Sequence, residues 1–218
     1  MWDEAMLRMM AVGVGETLYM VLTSALFAYA IGLPLGILLV VFAPAGVRPH
    51  RTAYKILDVT VNLARSIPFI ILLIAILPFT RAVVGTTIGP TATIVPLAIS
   101  AAPFVARLVE SSLKEVDGGV VEAAQSMGAT TFQIVRKVLL PEAKPSLLVG
   151  GAIATTTILG YSAMAGFSGG GGLGDIAIRF GFYRYEYDVM LVTLVLIVAV
   201  VQVLQEVFMR AARKSDKR

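Results

Sequence analysis

Hydrophobic residues fill four long stretches of this chain that contain no charged side chain. These stretches cover residues 17–47, 82–106, 145–174 and 189–205. Each is about long enough to cross a hydrocarbon core of roughly 30 Å as a helix. Because backbone groups in lipid must be hydrogen-bonded within the segment, the pattern predicts membrane-spanning helices rather than strands.

A shorter apolar stretch, residues 66–80, lies between Arg65 and Arg81. Alone it would give about 22 Å of helix, which is too short to span. Extension back to Ile56 gives enough length and places Asp58 and Arg65 in the first turns, where a long Arg side chain can reach the interface. The sequence therefore predicts five transmembrane helices, at about 14–42, 56–79, 90–110, 146–167 and 188–208.

The composition agrees with an all-α integral membrane protein. Of the 218 residues, 57% are hydrophobic and 15% are charged, whereas a soluble domain has about a quarter charged residues. One small globule cannot bury that much apolar surface, so lipid must cover the remainder. We expect residues 1–218 to form a single transmembrane domain. The net charge of +4 does not indicate nucleic-acid binding, because the basic residues flank membrane segments.

The distribution of Lys and Arg predicts the topology. These residues concentrate in the first and third connections and in the C-terminal tail, which includes Lys217 and Arg218, whereas the N-terminal tail is mostly acidic and includes Asp3. The positive-inside rule then puts the N-terminus outside and the C-terminus inside. The first 16 residues lack the basic region and cleavage pattern of a signal peptide, so we expect the first helix to be retained.

The third connection, residues 111–144, has the pattern of two short helices on the cytoplasmic side. Asp117 can cap a helix through Met127, and Gly128 suits a left-handed residue just after it. Thr130 or Thr131 can cap a second helix to Leu140, and Pro141 marks its end or a bend. On that helix, Phe132, Val135 and Val138 or Leu139 are predicted to share a face. A connector lying on the bilayer, with Arg136 and Lys137 on lipid head groups, would give a similar pattern.

The spacing of small and turn residues in this connection favours a more specific interpretation. The matching positions are Glu122, Ala123, Ala124, Gly128, Val138, Leu140 and Pro141. This run resembles the EAA loop of the integral-membrane subunits of ABC importers, with Val138 where Ile is usual. The resemblance implies that these residues couple the chain to an ATP-hydrolysing partner.

Two further segments extend the resemblance over nearly the whole chain. Residues 65–69 look like the Arg-x-x-Pro segment of amino-acid permeases. Residues 160–164 and the glycine-rich segment 169–174 look like those of the methionine importer permeases. Candidate residues lining a transport pathway are Arg65, Ser66, Pro68, Tyr161, Ser162 and Met164. Arg65 is predicted near a helix start, which favours an interface anchor, and core packing could explain the residues of the fourth helix.

The resemblance implies a type I ABC importer permease-like core with cytoplasmic coupling helices, in a bacterial inner membrane. It also implies a homodimer, two cytoplasmic ATPase subunits that carry ATP and Mg, and an extracytoplasmic substrate-binding protein, with no cofactor on this chain. Methionine is the expected substrate, and another amino acid is the alternative. The hydrophilic connection 175–188 is either a contact for the binding protein or a solvated connector.

Other classes of function fit the sequence less well. Gly-x-x-x-x-Gly-Lys-Ser/Thr is absent, and the glycines at 169–172 lack a following Lys, so we expect them to form a structural turn. A membrane enzyme would need clustered acid, base or metal ligands, but the chain has one histidine, His50, and no cysteine. A stand-alone ion-coupled carrier would need acidic residues within its spans, and the four apolar stretches have none.

Overall fold

The computed structural model describes residues 4–215, and every regular element in that range is helical. Asp3, Lys217 and Arg218, which entered the topology prediction, lie outside the described residues. The helices are α1 Glu4–Phe42, α2 Arg51–Arg65, α3 Phe69–Ala75, α4 Leu77–Val84, α5 Pro90–Lys114, α6 Gly118–Ser126, α7 Thr131–Ile134, α8 Leu140–Glu142, α9 Lys144–Ala165, α10 Gly172–Ile176 and α11 Tyr187–Ser215. Two π-helical segments, Val135–Leu139 and Ala177–Phe182, and one 3₁₀ turn, Gly166–Ser168, continue α7, α10 and α9.

Four of the described helices are long and apolar enough to cross a membrane: α1, α5, α9 with its 3₁₀ turn, and α11. The pair α2 and α3 would make a fifth span if the two are taken together. α1 begins ten residues before the predicted start at residue 14. This extension is held by a small apolar cluster, in which Met10 packs with Ile176 and Val189.

The predicted single helix at 56–79 is wrong. α2 ends at Arg65, α3 begins at Phe69, and their axes differ by 96°. Pro68 explains the break, because it has no N–H and disfavours helical backbone at the residue before it. Ser66 closes α2 by donating from its backbone N–H and its Oγ to Asn62 O.

α2 also begins five residues before the predicted boundary. His50 is its N-cap, and the Nδ1 of His50 accepts a hydrogen bond from Ala53 N at 3.1 Å. A side-chain acceptor at this position satisfies one of the free amides of the first turn. Arg65 therefore lies at the end of a 15-residue helix, and not in the first turns of a span.

The core is centred on close packing between α1 and α5. A Cβ added at Gly32 would lie 2.7 Å from Ala102 O, and one added at Gly36 would lie 2.6 Å from Ala106 O. The two glycines are one turn apart, so they allow the backbones to approach closely along one side of α1. Small residues thus hold helices together within this subunit.

Candidate functional site

The first half of the third connection is the predicted capped helix. The Oδ1 of Asp117 accepts from Gly119 N at 2.6 Å, and α6 ends with Met127 as its C-cap. Gly128 follows with a φ of +78° and donates from its N–H to Gln125 O. A left-handed glycine here ends the helix without a Cβ penalty.

The second half begins at Thr130, which is one of the two predicted caps. The Oγ1 of Thr130 accepts from Gln133 N at 3.3 Å, and the Oε1 of Gln133 accepts from Thr130 N at 2.8 Å. These reciprocal bonds form a capping box. They fix where the chain turns after Gly128.

Pro141 does not end the helix, which widens into a π turn just before it. The N–H of Leu140 bonds to Val135 O, five residues earlier, and helical backbone continues through Glu142. A proline inside a helix lacks a donor and crowds the preceding turn. The wider turn makes room for the ring, and the helical backbone ends at Glu142, one residue after the predicted end at Pro141.

The residues of the motif divide into an anchored set and an exposed set. Ala124 is buried, and Val138 and Leu140 pack against the same core. The exposed members are Glu122, Ala123, Gly128 and Pro141. The connection is thus held to the helix bundle on one side and presents a surface on the other.

The exposed side also carries apolar residues whose exposure the sequence did not predict. Met127 is 81% exposed, Phe132 is 69% exposed, and Val120 is also exposed beside Glu122 and Ala123. The predicted shared face holds for Val135, Val138 and Leu139, which pack against the core. It is wrong for Phe132, because Ile134 lies on the buried side instead. The π turn shifts the helical register, so the 3.6-residue period does not hold across it. Exposed apolar groups on a short polar helix are typical of a contact surface.

The candidate pathway residues meet only in part. The rings of Phe69 and Tyr161 stack with centroids 4.8 Å apart, which joins the start of α3 to α9. Pro68 is the N-cap of α3 beside this stack, and Ser66 is exposed at the break. The guanidinium of Arg65 lies 6.0 Å from the centroid of the Phe104 ring.

The two remaining candidates lie on different sides of α9. Ser162 is buried and donates its hydroxyl to Leu159 O at 2.7 Å, so it packs inside the subunit. Met164 is 48% exposed. It continues a stripe with Ile153, Thr157 and Gly160, which stand on one face of α9 at helical spacing.

A charged network between α2 and α5 was not foreseen. Arg107 bonds to Asp58 Oδ1 at 2.5 Å and to Glu110 Oε2 at 2.6 Å, and Lys114 bonds to Glu110 Oε1 at 2.7 Å. The Glu110 side chain is only 6% exposed. The spacing of Arg107, Glu110 and Lys114 on one helix face is visible in the sequence, whereas the pairing with Asp58 is a long-range contact. This network ties α2 to the end of α5 that leads into the third connection.

The glycine-rich segment at the opposite end of the bundle is a closely packed turn. The N–H of Gly172 donates to Glu16 Oε2 at 2.7 Å, and the N–H of Leu173 donates to Thr17 Oγ1 at 2.9 Å. Gly89 donates to Gly169 O at 2.9 Å. The segment therefore joins α1, α5 and α9, and its amides are used internally rather than for a phosphate.

A cleft of about 660 Å³ opens beside this turn, between the start of α1 and α10. Glu16, Asp175 and Arg179 line it, and Asp175 pairs with Arg179 at 2.5 Å. Within residues 4–215 there is no cluster of three or more His, Cys, Asp or Glu side chains that could hold a metal ion.

The apolar spans, the packed helix core and the exposed two-helix connection define a polytopic membrane protein that presents a contact surface at one end. The family model of the binding-protein-dependent transport system inner membrane component matches residues 32–215. The chain belongs to this family of inner-membrane transport subunits.

Relatives with high identity have more specific names. The probable D-methionine transport system permease protein MetI of Vibrio cholerae is 51% identical over 203 residues, which cover 93% of this chain and 90% of that protein. The D-methionine transport system permease protein MetI of Escherichia coli K12 is 51% identical over 164 residues, which cover 75% of this chain and 76% of that protein.

Solved structures agree with the predicted fold. A chain of the MetNI methionine ABC transporter, in inward-facing conformations, has a TM-score of 0.97 and 47% identity, with coverage of 99% of this chain and 100% of that one. A chain of an amino acid ABC transporter solved with histidines has a TM-score of 0.72 at 18% identity, which shows a common fold alone. The predicted ABC importer permease and its all-α, type I importer core are confirmed.

Proposed function

We propose that this chain forms the membrane pathway of an ATP-driven methionine importer. The main support is the match in sequence and structure over almost the whole chain to permeases of methionine transporters. A homodimer would place the pathway between two copies, as five or fewer spans are few to enclose a solute. Two ATPase subunits would supply the energy, with ATP and Mg bound to them, and a binding protein would deliver the substrate.

The third connection is the proposed docking surface for the ATPase. Its motif presents Glu122 and Ala123 beside exposed Met127 and Phe132, while Ala124 holds the surface to the core. Apolar and aromatic residues of this kind often dominate the energy of an interface. The two capped helices keep the surface in one shape, so movement of the ATPase would be passed to α5 and α9.

This role requires the third connection and the C-terminus to face the cytoplasm, with the N-terminus outside. The excess of Lys and Arg in the first and third connections supports this orientation. A reporter enzyme fused to the C-terminus should be active only inside the cell. Activity only on the outer side would contradict the orientation.

Reconstitution tests the proposed function. We expect proteoliposomes with the permease, its ATPase and its binding protein to accumulate labelled methionine only when ATP is present. Omission of the ATPase or the binding protein should abolish uptake. Uptake driven by an ion gradient without ATP would instead favour a stand-alone carrier. Competition by an excess of other unlabelled amino acids would show whether methionine or another amino acid is preferred.

A pair of glycine substitutions tests the docking surface. Gly128 and Gly85 both have left-handed φ values, of +78° and +84°, and an added Cβ meets no atom within 4 Å at either position. Gly128→Val and Gly85→Val should therefore cause a similar backbone strain, of about 1–2 kcal/mol. Only Gly128→Val should weaken co-purification of the ATPase and lower uptake. Equal effects of the two substitutions would contradict a specific role of the third connection.

A further inference from the structure

α2 carries a polar stripe along its whole length. Arg51, Lys55, Asp58, Asn62 and Arg65 recur at intervals of three and four residues, so they share one side of the helix. Of the charged groups in this stripe, Asp58 is already paired with Arg107 at 2.5 Å. The stripe is therefore basic, and it ends where the 96° break begins.

The end of this stripe lies beside the apolar part of α5. The Arg65 guanidinium is 6.0 Å from the Phe104 ring, and Phe104 stands ten residues before the end of α5 and fourteen residues after its start. These separations correspond to about 15 Å and about 21 Å of helix. Arg65 thus lies beside the uncharged part of α5, which ends two residues after Phe104, at Ala106.

α2 is held at this depth by packing and is not free to lie on the bilayer surface. Val61 is buried with Leu39 of α1 and Ala106 of α5. The Asp58–Arg107 ion pair adds a second tie to α5. The basic stripe therefore runs from the loop end of the bundle into its apolar part.

Arg65 is exposed at this position and has no acidic partner among residues 4–215. The Phe104 ring lies near its charge. An unpaired guanidinium facing lipid beside an apolar span is unfavourable, so ionisable groups there normally face water or a ligand. The stripe thus indicates a water-filled vestibule along α2, with Arg65 at its inner end.

We propose that Arg65 binds the carboxylate of the transported amino acid as it passes through the membrane. This inference rests on the proposed function, since it requires an amino acid in the pathway. A guanidinium offers two parallel N–H donors, which match a carboxylate. Two copies would place two such cations near the pathway. The basic surroundings should therefore favour amino acids with neutral side chains and oppose cationic ones.

Cysteine chemistry tests both water access and the role of the charge. The chain has no cysteine, so each single-cysteine variant has one labelling site in the permease. Arg65→Cys is compared with Leu63→Cys, two residues away on the opposite side of α2, where the side chain is 65% exposed. The complete transporter is treated with a reagent that adds an aminoethyl group to the thiol, or with one that adds a sulfonatoethyl group.

We expect Arg65→Cys to react at least tenfold faster than Leu63→Cys and to lower methionine uptake at least tenfold. The aminoethyl adduct restores a positive charge, so uptake should recover to at least a third of that of the unsubstituted permease. The sulfonatoethyl adduct adds a negative charge and should not. Leu63→Cys should transport normally with or without either reagent.

Normal uptake by Arg65→Cys, equal reactivity at residues 63 and 65, or equal recovery with both adducts would overturn the proposal. If Arg65→Cys fails to assemble with the ATPase, the uptake of Arg65→Lys is compared with that of Arg65→Gln instead. Methionine uptake by Arg65→Lys should stay within threefold of that of the unsubstituted permease, and uptake by Arg65→Gln should fall at least tenfold below it. Equal losses in the two variants would overturn the proposal. Absence of uptake by the unsubstituted protein would instead refute the proposed function itself.

Discussion

The close approach of α1 and α5 predicts that Gly36→Ala destabilises the protein. The added Cβ would lie 2.6 Å from Ala106 O and 2.6 Å from Val109 Cβ. Carbon atoms pack favourably at about 3.5–4.0 Å, so the new methyl group would be about 1 Å too close to both atoms. One of these atoms is backbone and the other is fixed to it, so a change of side-chain rotamer cannot relieve the clash.

The expected cost follows from two opposing effects. Overpacking of a core costs about 1–3 kcal/mol, and a clash with backbone should fall at the upper end of that range. Replacing glycine by alanine within a helix gains about 0.5–1 kcal/mol. We therefore expect a net loss of about 2 kcal/mol. Since 1 kcal/mol corresponds to about 2–4 °C for a chain of this size, the midpoint of thermal unfolding should fall by about 4–8 °C.

Gly15→Ala is the matched control on the same helix. An added Cβ there meets no atom within 4 Å, so only the helix-propensity gain of about 0.5–1 kcal/mol applies. Thermal unfolding of both variants in detergent, followed by loss of the monodisperse peak in size-exclusion chromatography, should give opposite shifts. Equal midpoints for Gly36→Ala and Gly15→Ala would refute the close-packing explanation.

Two further substitutions test buried polar contacts by the same unfolding assay. Glu110→Gln removes a buried charge from between two cations and should cost about 3 kcal/mol, whereas Glu206→Gln, in an exposed ion pair, should leave the midpoint nearly unchanged. Thr17→Val leaves the N–H of Leu173 without an acceptor and should cost about 1–3 kcal/mol, whereas Thr157→Val removes only a bond within its own helix and should cost less.

For each of these two pairs of substitutions, one result would contradict the explanation. If the two Glu substitutions shift the unfolding midpoint equally, burial of the ion network contributes nothing to its strength. If the two Thr substitutions do so, the contact between α1 and the glycine-rich turn does not stabilise the fold.

Local signals in the sequence were sufficient for the spans and the caps. The long uncharged stretches predict α1, α5, α9 and α11 because lipid burial needs only length and apolar composition. Asp117, Gly128 and Thr130 were predictable because caps depend on a few neighbouring residues. The motif in the third connection identified the family for the same reason, because all of its residues lie within one short segment of the chain.

Features that depend on several elements were not predictable in the same way. Pro68 in an apolar stretch is compatible with a kink as well as with a break. The 96° bend depends on the packing of α2 against α5 and of α3 against α9. The Asp58–Arg107 pair joins residues 49 positions apart. The exposure of Phe132 depends on the π turn at Val135–Leu139, which a fixed helical period does not reveal.

The glycine-rich turn has a consequence for how this subunit can move. It fastens Thr17 of α1, Thr93 of α5 and Ala165 of α9 to one another through hydrogen bonds at the same end of the molecule. Helices joined in this way cannot slide or splay apart at that end without breaking those bonds. In the proposed dimer, alternation of access would then leave these three helix ends fixed relative to one another within each protomer.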